Sequence, residues 1–475
     1  MIFYGDDKMS KYFHCTLDKP ALSYKVGETM RFTVMAKENC LEIECQYIRW
    51  TLRGDDGKVS SGLGRCRFGM PLVLETTCDR PGFVHLNCRA LRADATEDPT
   101  FDVFDGGAGA EVDRLTYCDA IPDDFDEYWG QIEQTVRDFT PVLLQKTPYT
   151  VDVPEGFDCF DVRVSTPEGM PVSGILTLPK AEGKYPLHVA FRGYSLSGAE
   201  PFYEERTVYF QINAHGIENG VPRVLLEQKY PQLAAYGFDR EENASPMTTY
   251  WRNMMLRNLI GLKFAKSLEQ WDGKFILCSG GSQGALQATT VAAHDPDVSF
   301  LDIHIPWFCN LNAESQGYLP GWRPAFAEGL RYFDTVTQGT RVKCPVKITA
   351  YLGDYVCPPA TVMTLYNGIR TVKSLDFIQG GTHGYRPPEV ERFSLRYDPE
   401  NPNGDIKPGI YRHFKGNRYQ VIGLAKNSET GEQQVVYRAL YGERALWVRP
   451  ADMWREWVEY EGRMTPRFTY IGEAE

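Results

Sequence analysis

Between Thr29 and Leu91, apolar and polar positions tend to alternate. In Phe83–Leu91, Val84, Leu86, Cys88 and Ala90 alternate with His85, Asn87 and Arg89, the period-two pattern of a half-buried strand. Thr29–Ala36, Ile43–Leu52 and Leu72–Cys78 are further β-branched and aromatic runs, and Gly54-Asp55-Asp56-Gly57 supplies a hairpin turn. Short strands at this spacing predict an N-terminal β-sandwich over residues 1–120. Asp105-Gly-Gly-Ala-Gly-Ala reads as a flexible boundary near its end.

Beyond residue 121 the pattern changes. Leu187–Phe191, Val208–Ala214, Lys274–Cys278, Phe300–Ile305, Val346–Leu352 and Leu375–Gln379 are short apolar runs of the kind found in buried parallel strands. Helical stretches lie between them, such as Tyr250–Leu268, which sets Trp251, Met254, Met255, Asn258, Leu259 and Leu262 on one face. This alternation predicts an α/β domain with a largely parallel sheet over 121–400. Asn401–Pro408 reads as a linker, and 405–475 as a small β-rich domain. Its Tyr411, Tyr419, Tyr437, Trp447 and Trp454 read as the core of a domain short of aliphatics, ahead of a sugar-stacking face.

Composition narrows the role. A chain of 475 residues has room for several domains, and 51 Lys and Arg against 63 Asp and Glu leave a net charge of −12, which speaks against a nucleic-acid partner. No apolar run is long enough for a membrane span. The start, MIFYGDDKMSKYF, lacks the basic and apolar regions of a signal peptide, so a cytoplasmic location is expected. The twelve cysteines contain no C-x-x-C pair. Six of them (Cys15, Cys40, Cys45, Cys66, Cys78, Cys88) fall in the first ninety residues, where free buried thiols fit that compartment better than disulfides. No cofactor or metal is called for.

The chemistry concentrates in residues 274–294. An apolar strand runs into Gly280-Gly281-Ser282-Gln283-Gly284 and then an Ala-rich helix, the context in which G-x-S-x-G forms a nucleophile elbow. Such a turn lifts the serine hydroxyl above the sheet and leaves the next N–H free for an oxyanion. A serine needs a base, and the base an orienting acid. Strand Val346–Leu352 ends in Gly353-Asp354, and the following strand ends in Gly380-Gly381-Thr382-His383-Gly384. The order Ser282, Asp354, His383 is that of a hydrolase sheet, which assigns nucleophile, acid and base. Strand Leu187–Phe191 leads into Arg192-Gly193-Tyr194-Ser195, putting the Tyr194 N–H beside that of Gln283 in the oxyanion hole. Trp307 and Phe308, on the loop after a core strand, are candidates to line the acyl pocket, or simply to pack there.

Other residues compete less well. His188 and His304 lie in apolar strands and read as satisfied core residues, and His294 closes a helix, where its charge suits the dipole. His215 precedes the serine and breaks the strand order, Asp302 sits inside its strand, and Ser195 and Ser197 lack an elbow.

With these positions in place, residues 121–395 resemble the acetyl xylan esterase and cephalosporin C deacetylase group of carbohydrate esterases. The likeness rests on Pro122-Asp-Asp-Phe-Asp-Glu-Tyr-Trp129, Gly193-Tyr194, Gly280–Gly284, Pro306-Trp-Phe-Cys-Asn310, Gly353-Asp-Tyr-Val-Cys-Pro-Pro-Ala-Thr-Val362 and Gly381-Thr-His383. It implies an α/β-hydrolase fold and metal-free removal of short acyl groups, chiefly acetyl, from sugars such as xylo-oligosaccharides. It also implies a ring-like homo-oligomer in the cytoplasm. Two departures stand out. Ala214-His215-Gly216 replaces the family's Arg-Gly-Gln, and His383-Gly384 its His-Glu. Residues 409–468 are similar to a small bacterial domain of unknown function whose short strands suggest a compact β-barrel. The residues alone leave open a serine peptidase or thioesterase, a carbohydrate-binding protein on a vestigial hydrolase fold, and a partner-docking role for the flanking domains.

Overall fold

The computed structural model describes residues 13–38, 47–91, 96, 103–387, 391–399, 406–460 and 463–473. Seven strands open the chain: β1 (Phe13–Leu17), β2 (Met30–Ala36), β3 (Tyr47–Gly54), β4 (Val59–Arg65), β5 (Leu72–Thr76), β6 (Gly82–Leu91) and β7 (Val103–Ala110). They pair as β1-β2-β5 and β4-β3-β6-β7. Phe32 and Val34 from the first sheet share a core with Leu52, Leu86 and Phe104 from the second, which makes a sandwich. Gly54–Gly57 turns β3 into β4 as expected. Cys15, Cys78 and Cys88 are buried free thiols, whereas Cys40, Cys45 and the start of the expected strand at Ile43 lie outside the described residues.

Two expectations change here. Asp105–Ala110 is no flexible boundary but belongs to β7, paired along its length with β6. Its glycines answer to close approach rather than to flexibility: a Cβ on Gly107 would lie 2.6 Å from the Val84 carbonyl oxygen and 3.2 Å from that of Leu352. Strand β6 is also not half-buried. His85 is only 1% exposed, because the polar side of the strand faces the α/β domain instead of water.

That domain is built on β8 (Leu143–Pro148), β9 (Phe157–Val164), β10 (Val172–Pro179), β11 (Tyr185–Phe191), β12 (Val208–Ile212), β13 (Trp271–Gly281), β14 (Phe300–His304), β15 (Val346–Tyr351), β16 (Lys373–Ile378) and β17 (Arg392–Tyr397). The order is β17-β16-β15-β14-β13-β11-β12-β10-β9-β8, with β12, β11, β13, β14, β15 and β16 running parallel. The helices are α1 (Phe125–Asp138), α2 (Arg223–Lys229), α3 (Tyr250–Ala265), α4 (Gln283–His294), α5 (Thr335–Gly339) and α6 (Pro359–Gly368). In α4, Ala285, Ala288 and Ala292 let the helix settle onto the sheet. This is an α/β-hydrolase fold. Parallel strands bring their carboxyl ends to one rim, and there the chemistry collects.

The C-terminal domain is small and strand-rich, with β18 (Gly409–His413), β19 (Arg418–Lys426), β20 (Gln433–Ala439), β21 (Leu446–Pro450), α7 (Ala451–Trp454), β22 (Trp457–Tyr460), β23 (Arg463–Pro466) and β24 (Phe468–Gly472). Tyr411, Tyr437 and Trp454 are buried, and Trp454 stacks on Phe468 with ring centroids 3.7 Å apart. Trp447 departs from the expected core: it sits on the outermost strand β21 and stays 56% exposed. Residues 401–405 of the expected linker fall outside the described residues.

Candidate active site

Strand β13 passes into α4 through Ser282, whose φ of 55° and ψ of −120° put a non-glycine residue in a strained conformation. Its neighbours explain how the strain holds. The Ser282 N–H donates to the His304 carbonyl at 2.9 Å, and the Ser282 carbonyl accepts from Ala285 N at 2.9 Å and Trp307 N at 3.3 Å. A Cβ on Gly280 would stand 2.3 Å from the Gly284 carbonyl oxygen, and one on Gly284 2.2 Å from that of Phe191. The motif's glycines are therefore steric requirements of the turn.

At the ends of β15 and β16, Asp354 and His383 meet. His383 Nδ1 donates to Asp354 Oδ2 at 3.0 Å, while Asp354 Oδ1 accepts from the N–H groups of Val356 and Cys357, each at 2.8 Å. The carboxylate is fully buried and held on three sides. Cys357 stands between this pair and Ser282: the serine side chain acts on its thiol, and ligand atoms of Asp354, Cys357 and His383 lie within 4.8 Å of one another. Such a trio has donor types that could hold a cation. Here the Asp354 oxygens are already committed to N–H donors. Burial, helped by the Asp354 charge, pushes the Cys357 thiol well above its ordinary value, so it stays protonated.

Tyr194 and Gln283 flank the serine. Gln283 opens α4, with its amide at the positive end of the helix. A Cβ on Gly193 would lie 3.7 Å from the Ser282 Cβ, so the Gly193-Tyr194 turn overlies the elbow. Tyr236 braces both residues. It stacks on Tyr194 at 4.2 Å, accepts the Tyr194 hydroxyl at its carbonyl (3.0 Å), and donates its own hydroxyl to Gln283 Oε1 (2.6 Å).

Aromatic rings wall this corner. Tyr194 contacts Trp322 at 4.8 Å and Trp307 at 5.9 Å, and Phe238 contacts Trp322 at 4.9 Å. Trp307 and Phe308 are each 2% exposed, and Phe308 packs behind, on Trp251 at 4.9 Å. Phe238 and Trp322 carry no signal in the sequence because both stand in irregular segments without periodicity. Only the fold brings them to Tyr194.

The remaining histidines have distinct settings. His215 is buried, donating from Nε2 to the Ser195 carbonyl (2.9 Å) and meeting the Tyr250 hydroxyl at Nδ1 (2.7 Å); burial lowers it to about 4. His188 bonds Glu204 and Ser279, and His294 bonds Glu133 and Gln338. His304 is different from the core residue expected. It faces His383 and Asp354, and burial, with the Arg386 charge, lowers it to about 4. Asp302 pairs with Lys347 at 3.3 Å, and the Ser195 and Ser197 hydroxyls bond each other at 2.6 Å. No helix among the described residues is long and apolar enough to cross a membrane.

Two family models match the chain. The one described as acetyl xylan esterase covers residues 111–316 and 324–398, more than half of the chain, and the one described as a protein of unknown function (DUF1653) covers 409–470. The chain is 25% identical over 334 residues to acetyl esterase Axe7A of Xylanibacter ruminicola, spanning 66% of this chain and 73% of that protein. Acetyl xylan esterase 1 from Thermoanaerobacterium sp. JW/SL YS485 is a structural neighbour with 20% identity and a TM-score of 0.48, over 58% of this chain and 93% of its own. A DUF1653 protein from Bordetella bronchiseptica matches 15% of this chain and 94% of its own at 40% identity, with a TM-score of 0.14.

Proposed function

Because this chain belongs to the acetyl xylan esterase family and is a carboxylic ester hydrolase, we propose that it removes acetyl groups from sugar hydroxyls through Ser282, His383 and Asp354. The observation that carries this reading is the Ser282 elbow at φ 55° on the same rim of parallel strands as a His383–Asp354 pair at 3.0 Å.

In the first step His383 Nε2 takes the Ser282 proton as Oγ attacks the acetyl carbonyl. Asp354 keeps Nδ1 protonated and steadies the imidazolium. The oxyanion takes hydrogen bonds from the N–H groups of Gln283 and Tyr194. Collapse breaks the ester C–O bond, and His383 passes its proton to the leaving sugar oxygen. Water then attacks the acyl-serine, His383 again removing a proton, and acetate leaves as Ser282 recovers its hydrogen. The wall of Tyr194, Trp307 and Trp322 favours a small acyl group. An acetylated carbohydrate is the substrate class, with a cytoplasmic setting and a homo-oligomer as further parts of the reading.

The test is acetate release from acetylated xylo-oligosaccharides, aryl acetates and cephalosporin C, with aminoacyl arylamides and acyl thioesters alongside. Turnover of sugar acetates that disappears in Ser282→Ala supports the proposal. Faster cleavage of the arylamides or thioesters would reassign the same machinery to a peptidase or thioesterase.

A further inference from the structure

The N-terminal sandwich touches the α/β domain at the two loops that carry Asp354 and His383. On β7, the Gly107 N–H donates to Gln379 Oε1 and its carbonyl accepts from Gln379 Nε2, both at 2.9 Å in a buried setting. Gln379 stands four residues before His383. Two positions along β7, the Asp105 backbone presses so closely on Gly353 that a Cβ there would sit 2.4 Å from the Asp105 carbonyl oxygen. The Asp105 carboxylate is itself buried, with Asn87 donating to it, Arg89 Nη1 at 3.5 Å and Tyr355 near enough to act on its charge. Tyr355 directly follows Asp354. It remains 39% exposed overall, with its hydroxyl turned inward and its ring 5.2 Å from that of His85. The Gly353 N–H donates to the Gly381 carbonyl at 3.1 Å, which ties the two loops together.

A docked domain can hold its neighbour with apolar contacts, as Phe83 and Phe377 do here at 5.6 Å. A buried carboxylate is a costly way to add adhesion, but its directional bonds fix geometry. The contacts across this junction fall on residues beside both members of the acid–base pair. We propose that the sandwich is a positioning element of the active site: through Asp105–Tyr355 and Gly107–Gln379, β7 sets the Asp354 and His383 loops in register with Ser282. The proposal rests on the Ser282–His383–Asp354 reading.

The experiment uses the full chain and an aryl acetate, comparing Tyr355→Phe, Gln379→Met, Ser282→Ala and a control, Arg31→Ala. The control loses only an exposed ion pair with Glu75 on the sandwich's other sheet. Small displacements of reacting groups cost about ten- to a hundredfold in rate, so Tyr355→Phe and Gln379→Met lower kcat by about that factor, with KM within about twofold. Arg31→Ala keeps the wild-type kcat. If Tyr355→Phe and Gln379→Met melt earlier but retain the wild-type kcat, the contacts are adhesive only and the proposal is overturned. If Ser282→Ala turns over normally, it is the catalytic reading that has failed.

Discussion

Asp354 and His383 meet at 3.0 Å with the aspartate's second oxygen held by two backbone N–H groups, so the carboxylate can turn neither toward solvent nor away from the imidazole. Asp354→Asn keeps the shape of this corner and removes its charge. An amide at Oδ2 would also favour the imidazole tautomer with Nδ1 unprotonated, leaving Nε2 unable to accept the serine proton. The expected result is a fall in kcat of about a thousandfold or more with KM little changed. Steady-state kinetics on an aryl acetate checks this, and a loss below about tenfold would argue against the assigned role.

The elbow's glycines give a second expectation. In Gly284→Ala the new methyl would stand 2.2 Å from the Phe191 carbonyl oxygen, a backbone atom in the central strand β11. Neither β11 nor α4 can retreat without opening the core. Overpacking of that kind costs about 1–3 kcal/mol, and α4 carries the Gln283 amide, so activity falls along with the urea midpoint. Gly384→Ala is the contrast, because a Cβ there meets nothing within 4 Å. Its melting curve is expected to match the wild type.

Trp322 offers a test of acyl selectivity. It packs against Tyr194 and Phe238, and its N–H donates to the Val356 carbonyl at 3.1 Å, so its backbone follows the acid loop while its ring closes the aromatic wall. It falls in residues 317–323, which the acetyl xylan esterase model leaves unmatched. Trp322→Ala opens space for longer chains. One methylene in such a pocket is worth about 10- to 200-fold in kcat/KM, so the butyrate-to-acetate ratio for aryl esters rises by at least about tenfold. An unchanged ratio places the acyl group elsewhere.

The legible parts of this chain are those whose signals are local. Ser282 stands out because two glycines, an apolar strand and an Ala-rich helix are contiguous in the sequence, and Asp354 and His383 because they follow the strands where the chain order of a hydrolase sheet puts its acid and base. Asp105–Ala110 shows the opposite case. Three glycines in six residues look like a hinge, yet a Cβ on them would meet Gln379, the Val84 and Leu352 carbonyls, or Phe83, from distant parts of the chain. The alternation in Phe83–Leu91 marks a strand, but the pattern cannot say whether its polar side meets water or a second domain. Phe238 and Trp322 have no local signature; they become neighbours only through the fold. The same holds for β8, β9 and β10, which add an antiparallel flank to a sheet anticipated as largely parallel.

His85 makes the junction sensitive to acid. Both its ring nitrogens are buried without hydrogen-bond partners, and desolvation, with the Arg53 charge, lowers it to about 4 from 6.5. Above pH 6.5 the ring is neutral in folded and unfolded chains alike. As pH falls from 6.5 toward 4, the unfolded chain takes up a proton that the folded one refuses, so stability present at neutral pH is progressively lost. For one such group the loss reaches about 3 kcal/mol by pH 4. His215 and His304, also lowered to about 4, add losses of the same sign. His85→Phe keeps a flat ring against Tyr355 and abolishes this proton uptake. Urea midpoints measured from pH 7.5 to 4.5 are therefore expected to fall less steeply for the variant than for the wild type, by up to about one proton's worth of slope. Parallel curves would mean that His85 titrates normally and that the junction is open to water.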